Sequence, residues 1–151
     1  MSHVVSIKTE LKDLKAVKAA CAELGFTFNE NAKTWRWYGR WVNDYDKEDA
    51  AYKLGIKPED YGKCDHSISI PGCGYDIGLM LNPETKGYRI VFDFYGSEGG
   101  KLRKAVGSTG EKLIQYYGIH KTTTLAQSRG HSVNRVAGKD GKVHLTVSGK
   151  L

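Results

Sequence analysis

The most constraining feature of this sequence is a pair of alternating segments that flank a short polar loop. "YDIGLMLN" (75–82) and "GYRIVFDFY" (87–95) are separated by "PETK", a loop length typical of antiparallel hairpins. Pairing Asn82 with Gly87 places apolar residues opposite one another, as in Leu79–Ile90 and Ile77–Phe92. We therefore expect a β-hairpin in this register, with its apolar face buried.

Other parts of the chain carry comparable strand and helix signals. Residues 4–11 alternate as a strand, and apolar residues then recur at helical spacing until Gly25, a typical C-terminal cap. After "GSEGG", the glycines favour a short helix followed by a longer one over Glu111–Ser128. The final segment predicts a second hairpin that turns at Asp140–Gly141.

These signals predict an α+β fold with a single antiparallel sheet of about six strands and two main helices packed on one face. Both ends of the chain show a helix end, a glycine, a strand, a polar turn and a strand, which favours a ferredoxin-like, split βαβ arrangement. We expect a single domain over residues 1–151, with a polar excursion at about 43–63. The sheet face away from the helices is expected to be partly open.

Composition narrows the class of protein. The chain has 151 residues, of which 40% are hydrophobic and 26% charged, as in ordinary globular domains. No apolar run approaches the roughly 20 residues of a membrane span, and no signal peptide is recognisable. Three cysteines without framework spacing favour a reducing, cytoplasmic compartment. The net charge of +6 is consistent with a nucleic-acid partner, and equally with solubility alone.

Four short motifs resemble a known family: "MSHVVSIKT", "YDIG", "YRIVFD" and the terminal "GKDGKVHLTV". In their order and spacing the chain is similar to the hypothetical chloroplast reading frame thirty-five family of plastids and cyanobacteria, a domain of unknown function also met in bacteriophages. The resemblance covers most of the chain except roughly residues 35–63, where "WRWYGRW" and "GKCDH" look more like the bacteriophage-type members. The resemblance implies a small soluble protein and supplies no catalytic residue.

A metal site is one interpretation of Cys64, His66 and Cys73, whose pattern is C-x-H-x₆-C. Zinc sites usually present four nitrogen or sulfur ligands with paired cysteines. Because Cys64 and His66 share the strand face of Ile68, we expect a buried thiol and a core histidine instead. The acidic loop 44–49 lacks the glycine and glutamate of a calcium-binding EF-hand. We therefore expect no metal and no cofactor.

The hairpin register places Asp76 opposite Asp93, on the face away from the apolar residues. Like charges opposed across a sheet are destabilising unless they are compensated. An arginine (Arg36, Arg40 or Arg89), a bound cation or a shared proton could compensate them. We expect a structural salt-bridge network, and an enzyme built on this acidic pair is the alternative.

The segment "WRWYGRW" alternates aromatic residues and cations. As a strand it would present two faces, one with Trp35, Trp37 and Trp41 and the other with Arg36, Tyr38 and Arg40. We expect the tryptophans on the helix-facing side, in the core. On an open sheet face, the arginines and the tyrosine could stack bases and hold phosphates, or they could pair with the two aspartates.

The glycine-rich segment "GSEGGKLRK" precedes a predicted helix and carries Lys101, Arg103 and Lys104. Backbone N–H groups at a helix start can hold a phosphate, and a flexible hinge explains the glycines equally well. The segment lacks the spacing of a Walker loop.

Together these features favour a small basic binding module over an enzyme. The leading hypothesis is a nucleic-acid-associated accessory protein that binds RNA or DNA through two groups, Arg36, Tyr38, Arg40 and Lys101, Arg103, Lys104. The alternative is a protein-binding adaptor acting on a larger host or plastid complex, since exposed tyrosines and arginines also suit a protein interface. A further alternative is the metal- or acid-dyad-based enzyme.

Overall fold

The computed structural model describes residues 4–38, 56, 60–139 and 142–149. Its helices and strands follow in the order β1 (Val4–Leu11), α1 (Leu14–Leu24), β2 (Thr27–Asn29), β3 (His66–Ser69), β4 (Asp76–Leu81), β5 (Tyr88–Asp93), α2 (Gly96–Val106), α3 (Glu111–Ser128), β6 (Ser132–Ala137) and β7 (Val143–Ser148). The protein is therefore mixed α+β, and the predicted short helix followed by a longer one is confirmed.

Five strands form an antiparallel sheet in the order β1-β5-β4-β3-β2. The β4–β5 register is the predicted one, with Leu79 opposite Ile90 and Leu81 opposite Tyr88. A hydrogen bond from the Asn82 N–H to the Gly87 carbonyl, 2.8 Å long, closes the hairpin. A slip of one residue would turn the apolar set to the wrong face, so the sequence pattern fixes this register strongly.

Helix α1 connects the two edge strands of the sheet. It begins where the Asp13 carboxylate accepts hydrogen bonds from the backbone N–H groups of Lys15 and Ala16. It ends at Gly25, whose φ of 77° is left-handed, as predicted. Because all neighbouring strands are antiparallel, β1 and β2 run in the same direction with three strands between them. This order does not confirm a ferredoxin-like arrangement.

The main core lies between one sheet face and the helices. Fully buried side chains from the sheet include Ile77, Leu79, Ile90 and Phe92, and the helices contribute Val17, Cys21, Leu102 and Leu113. Each side chain of this size stabilises the fold by about 1.5–3 kcal/mol when it is buried. Cys21 is part of this core and is almost wholly inaccessible to solvent.

The opposite sheet face is covered by a second, smaller cluster. Trp35, Trp37, Ile56 and Tyr61 pack there against Val91 of β5, and we call this cluster the tryptophan layer. For Trp35 and Trp37, the prediction that the tryptophans face the helices is wrong. Residues 35–38 also do not form the predicted strand, since Thr34 makes only an isolated bridge with Lys63. Trp41, like most of the excursion at 43–63, lies outside the described residues.

A glycine makes room for this layer. A Cβ atom on Gly78 would stand 2.6 Å from the Val91 side chain and 2.9 Å from the Trp35 ring. Both distances are too short for real contacts, so the Trp35 ring can pack this closely on β4 only because position 78 has no side chain. The alternation of apolar residues does not predict this packing, because glycine has no side chain that would assign it to either face of a strand.

The C-terminal hairpin does not join the main sheet. β6 and β7 form a separate two-stranded sheet, so the single sheet of about six strands expected from the sequence is corrected to five strands plus two. Their register pairs Ala137 with Val143, and the predicted turn at Asp140–Gly141 lies outside the described residues. An ion pair between Arg135 and Glu23 links the hairpin to α1.

Candidate nucleic-acid interface

Two buried aspartates anchor the segment that carries the predicted arginine and tyrosine. Asp76 and Asp93 lie on the sheet face covered by the tryptophan layer and are 5% and 0% exposed. The Asp76 carboxylate accepts a 3.0 Å hydrogen bond from the Arg36 backbone N–H, and Asp93 accepts one of 2.9 Å from that of Tyr38. The two carboxylates therefore fix alternate amides of residues 36–38 against the sheet.

An ion pair compensates Asp76. The Arg36 Nε and Nη2 groups donate to its Oδ1 atom at 3.1 and 2.8 Å, and Nη2 also reaches the Cys73 carbonyl at 3.4 Å. These bonds raise the pKa of the Arg36 guanidinium above its ordinary value. The Arg36 side chain remains 57% exposed, whereas that of Asp76 is 7% exposed. The sequence offered three arginines that could compensate the acidic pair, and the structure shows that Arg36 forms the ion pair with Asp76.

Arg89 belongs to a different cluster, which corrects its predicted place beside Asp76 and Asp93. Arg89 is a residue of β5 and lies opposite Met80 of β4. Its Nε atom is 3.9 Å from the Glu10 carboxylate. Glu10 also accepts hydrogen bonds from Thr85 and Asn82, and these two bonds lower the pKa of its carboxyl group. This cluster therefore stabilises the turn between β4 and β5, at the other end of the hairpin.

The structure brings the two predicted binding motifs together. The ring of Tyr38 contacts the ring of Tyr95, and the two ring centroids are 4.4 Å apart. Tyr95 is the residue directly before α2. Glu98 in the first turn of α2 accepts a 2.7 Å bond from the Gly74 N–H and pairs with Lys101 at 2.9 Å. The segment 36–38 and the start of α2 therefore form one surface, although they are about 60 positions apart in the chain.

Tyr75, which directly precedes β4, packs against the helix-facing core instead. Burial raises the pKa of its hydroxyl to about 12, and the negative charge of Asp93 acts in the same direction. The nucleic-acid hypothesis drawn from the sequence did not include Tyr95, because its ring meets that of Tyr38 only through the fold. We call Arg36, Tyr38, Tyr95 and Lys101 the tyrosine–cation surface.

Of the remaining predicted cations, Arg103 lies apart from this surface. It extends over the ring of Phe94 at 4.9 Å, and it is five positions from Glu98, hence on another side of a helix with about 3.6 residues per turn. Lys104 is exposed on α2 three positions after Lys101, and therefore lies beside it on the helix. Arg40 lies outside the described residues. The five described members of the predicted set therefore do not form one continuous patch.

The three residues of the C-x-H-x₆-C pattern occupy different environments. The His66 Nδ1 atom accepts a 3.0 Å bond from the Asn31 N–H, and its ring contacts Phe28 and Tyr88 on the helix-facing side. Cys64 packs instead against the tryptophan layer, so its expected place on the face of His66 is wrong. The strand begins only at His66, and alternation therefore does not extend back to Cys64.

The Cys73 thiol donates to the Glu98 carbonyl at 3.4 Å. Within the ranges that the structure describes, no group of three or more histidine, cysteine or acidic side chains is arranged to hold a metal ion. The same ranges contain no helix that is both long and apolar enough to cross a bilayer.

Comparisons with known proteins found no matching family model, no similar curated protein and no similar solved structure. The resemblance to the plastid and bacteriophage family therefore stays a prediction.

Proposed function

We propose that this protein is a small nucleic-acid-associated binding protein that holds single-stranded RNA or DNA on its tyrosine–cation surface. The observation that carries the proposal is the Tyr38–Tyr95 ring pair, with Arg36 and Lys101 beside it. Proteins that bind single strands combine aromatic rings, on which bases stack, with cations that follow the backbone.

The charges of the surface support the proposal. Arg36 and Lys101 each have an acidic partner, yet their side chains are 57% and 55% exposed. Arg36 uses Nε and Nη2 for Asp76 and Cys73, and among the described residues none accepts a hydrogen bond from its Nη1. A phosphate oxygen could therefore be bound without breaking the Asp76 pair. Lys104 and the net charge of +6 add long-range attraction.

Both aspartates act as acceptors for backbone amides, which favours a binding role over acid–base chemistry at this place. Three free thiols are consistent with action in a reducing cytoplasmic compartment. A ferredoxin-like relation would rest on the β1-α1-β2 unit, whose two strands are separated by the rest of the sheet.

Fluorescence anisotropy with labelled single-stranded RNA, single-stranded DNA and duplex DNA tests the proposal. We expect single strands to bind more tightly than duplex. If Arg36, Lys101 and Lys104 each contact one phosphate, log K should fall against log salt with a slope of about −2. Replacing Tyr38 by leucine removes a stacking ring and should weaken binding about tenfold without changing that slope.

A pair of charge reversals provides the matched control. Lys101→Glu/Lys104→Glu alters the proposed surface, whereas Lys15→Glu/Lys112→Glu makes the same change of net charge on exposed positions of α1 and α3. The first variant should lose most of the binding and the second should retain it, apart from a small long-range effect. Equal losses in both, or no binding by the parent at low salt, would refute the proposal. In that case a stoichiometric protein partner that survives nuclease treatment would favour the adaptor alternative.

A further inference from the structure

The β6–β7 hairpin is built as a two-stranded sheet that lacks a third strand. Two-stranded hairpins are marginally stable in water unless further strands or a packed face support them. Here β6 contacts the end of α3, where the His131 N–H donates to the Ala126 carbonyl at 3.0 Å. Val136 and Val147 nevertheless remain 50% and 45% exposed. Much of the apolar surface of the hairpin is therefore left in contact with solvent.

The outer edge of β7 carries none of the usual protection against strand pairing. In natural proteins, edge strands are protected from pairing with another chain by charged side chains, by prolines or by very short length. β1 has Glu10, β2 has only three residues, and β6 has Arg135. β7, "VHLTVS", has no lysine, arginine, acidic residue or proline, and within the described chain its strand neighbour is β6 alone.

The sequence of β7 is symmetrical in polarity about Leu145. Val143 and Val147 lie two positions to either side, and His144 and Thr146 lie between. An antiparallel pairing of β7 with a second β7, centred on Leu145, therefore places valine opposite valine and histidine opposite threonine. No like charges meet in this register. We propose that two copies of this protein associate through their β7 edges into a continuous four-stranded sheet.

The existing β6–β7 register extends across such a pairing. Arg135 lies opposite Leu145, and Val133 lies opposite Val147. The central row of the joined sheet then runs Arg135, Leu145, Leu145 of the second copy and Arg135 of the second copy. The flanking rows bring Val147 beside Val143 of the second copy. The apolar face becomes continuous over both hairpins, with an arginine at each outer end of the central row.

The pairing of one six-residue edge gives a small interface. Interfaces below about 1,200 Å² are typically weak, so we expect dissociation in the micromolar range. Each chain carries a net charge of +6, which opposes association at long range. Added salt should therefore maintain or strengthen the dimer, whereas it weakens nucleic-acid binding. This opposite salt response separates the two proposals.

Sedimentation velocity over a concentration series up to about 200 µM tests the dimer. The parent should show a concentration-dependent rise towards twice its 16.8 kDa mass. In His144→Glu/Thr146→Glu, each new carboxylate would face another across the pairing, and association should weaken at least tenfold. In His144→Lys/Thr146→Glu, lysine would face glutamate, and association should be retained.

Both variants change exposed side chains, and circular dichroism would confirm that each still folds. A parent that stays monomeric throughout the series would overturn the proposal. So would a double-glutamate variant that associates as well as the parent, or a lysine–glutamate variant that is as monomeric as the double-glutamate one, because the proposed register predicts the difference between them.

Discussion

Replacing Arg36 by methionine should destabilise the protein far more than the same replacement at Arg89. Methionine keeps most of the apolar stem but removes the guanidinium that contacts Asp76 at 2.8 and 3.1 Å. The carboxylate would then remain buried and, among the described residues, would keep one hydrogen-bond donor, the backbone N–H of residue 36 at 3.0 Å. Breaking a buried ion pair costs about 3–5 kcal/mol.

Because the arginine side of this pair is 57% exposed, solvent screening reduces that figure, and we expect a loss of about 2–3 kcal/mol. With a urea m-value of about 2 kcal/mol/M, the unfolding midpoint followed by circular dichroism should fall by about 1–1.5 M. Arg89 stands 3.9 Å from Glu10 in a partly exposed pair, so Arg89→Met should cost less than about 1 kcal/mol.

The double variant Arg36→Met/Asp76→Asn sharpens the test. Asparagine keeps a side-chain oxygen that can accept the hydrogen bond from the backbone N–H of residue 36. Because asparagine is neutral, no unpaired charge remains buried at position 76. The double variant should therefore be more stable than Arg36→Met alone by about 1 kcal/mol or more. If Arg36→Met costs no more than Arg89→Met, the reasoning that Asp76 depends on this pair is refuted.

Three further outcomes follow from the packing and the thiols. Gly78→Ala would push a methyl group into Val91 and Trp35, and should lower the free energy of unfolding by about 1–3 kcal/mol in urea titrations; an unchanged midpoint would contradict the described contact. Burial raises the pKa of the Cys21 and Cys64 thiols to about 12, so iodoacetamide at pH 8 should label both slowly in the folded protein and rapidly in urea, as peptide mass spectrometry would show. The same shifts predict that the contribution of these thiols to the free energy of unfolding is fully present below pH 9 and is lost as the pH rises from 9 towards 12, because only the unfolded thiols ionise in that range. Cys21→Ala should make this decline in stability shallower. A decline of equal slope in the variant would exclude a contribution from the Cys21 thiol.

Local patterns predicted much of the fold. The hairpin register followed from apolar pairing, and α1 followed from helical spacing that ends at a left-handed Gly25. The Asp76–Arg36 pair could also be anticipated, since the register alone indicated that Asp76 needs compensation. These features depend on residues that are near one another in sequence or on a two-residue periodicity, both of which can be read from one chain.

Contacts over long sequence separations could not be predicted in this way. The alternation at residues 35–38 is strand-like, but the backbone amides of Arg36 and Tyr38 bond to two aspartate side chains instead of to a strand ladder. No periodicity distinguishes these cases, because the choice depends on where the sheet places its carboxylates. The meeting of Tyr38 with Tyr95, and the separation of β6–β7 from the main sheet, depend on tertiary packing in the same way.

The position of the tryptophans has a spectroscopic consequence. The three tryptophans of the chain lie within residues 35–41, and the two described ones stack on each other in the tryptophan layer. The helix-facing core contains no indole at all among its described residues. Emission from these two indoles therefore reports on one side of the sheet, and ellipticity at 222 nm reports mainly on the helices on the other side. If the indole signal changes before the ellipticity during unfolding, the layer separates from the sheet before the helical core is lost, and the protein is a two-part cooperative system.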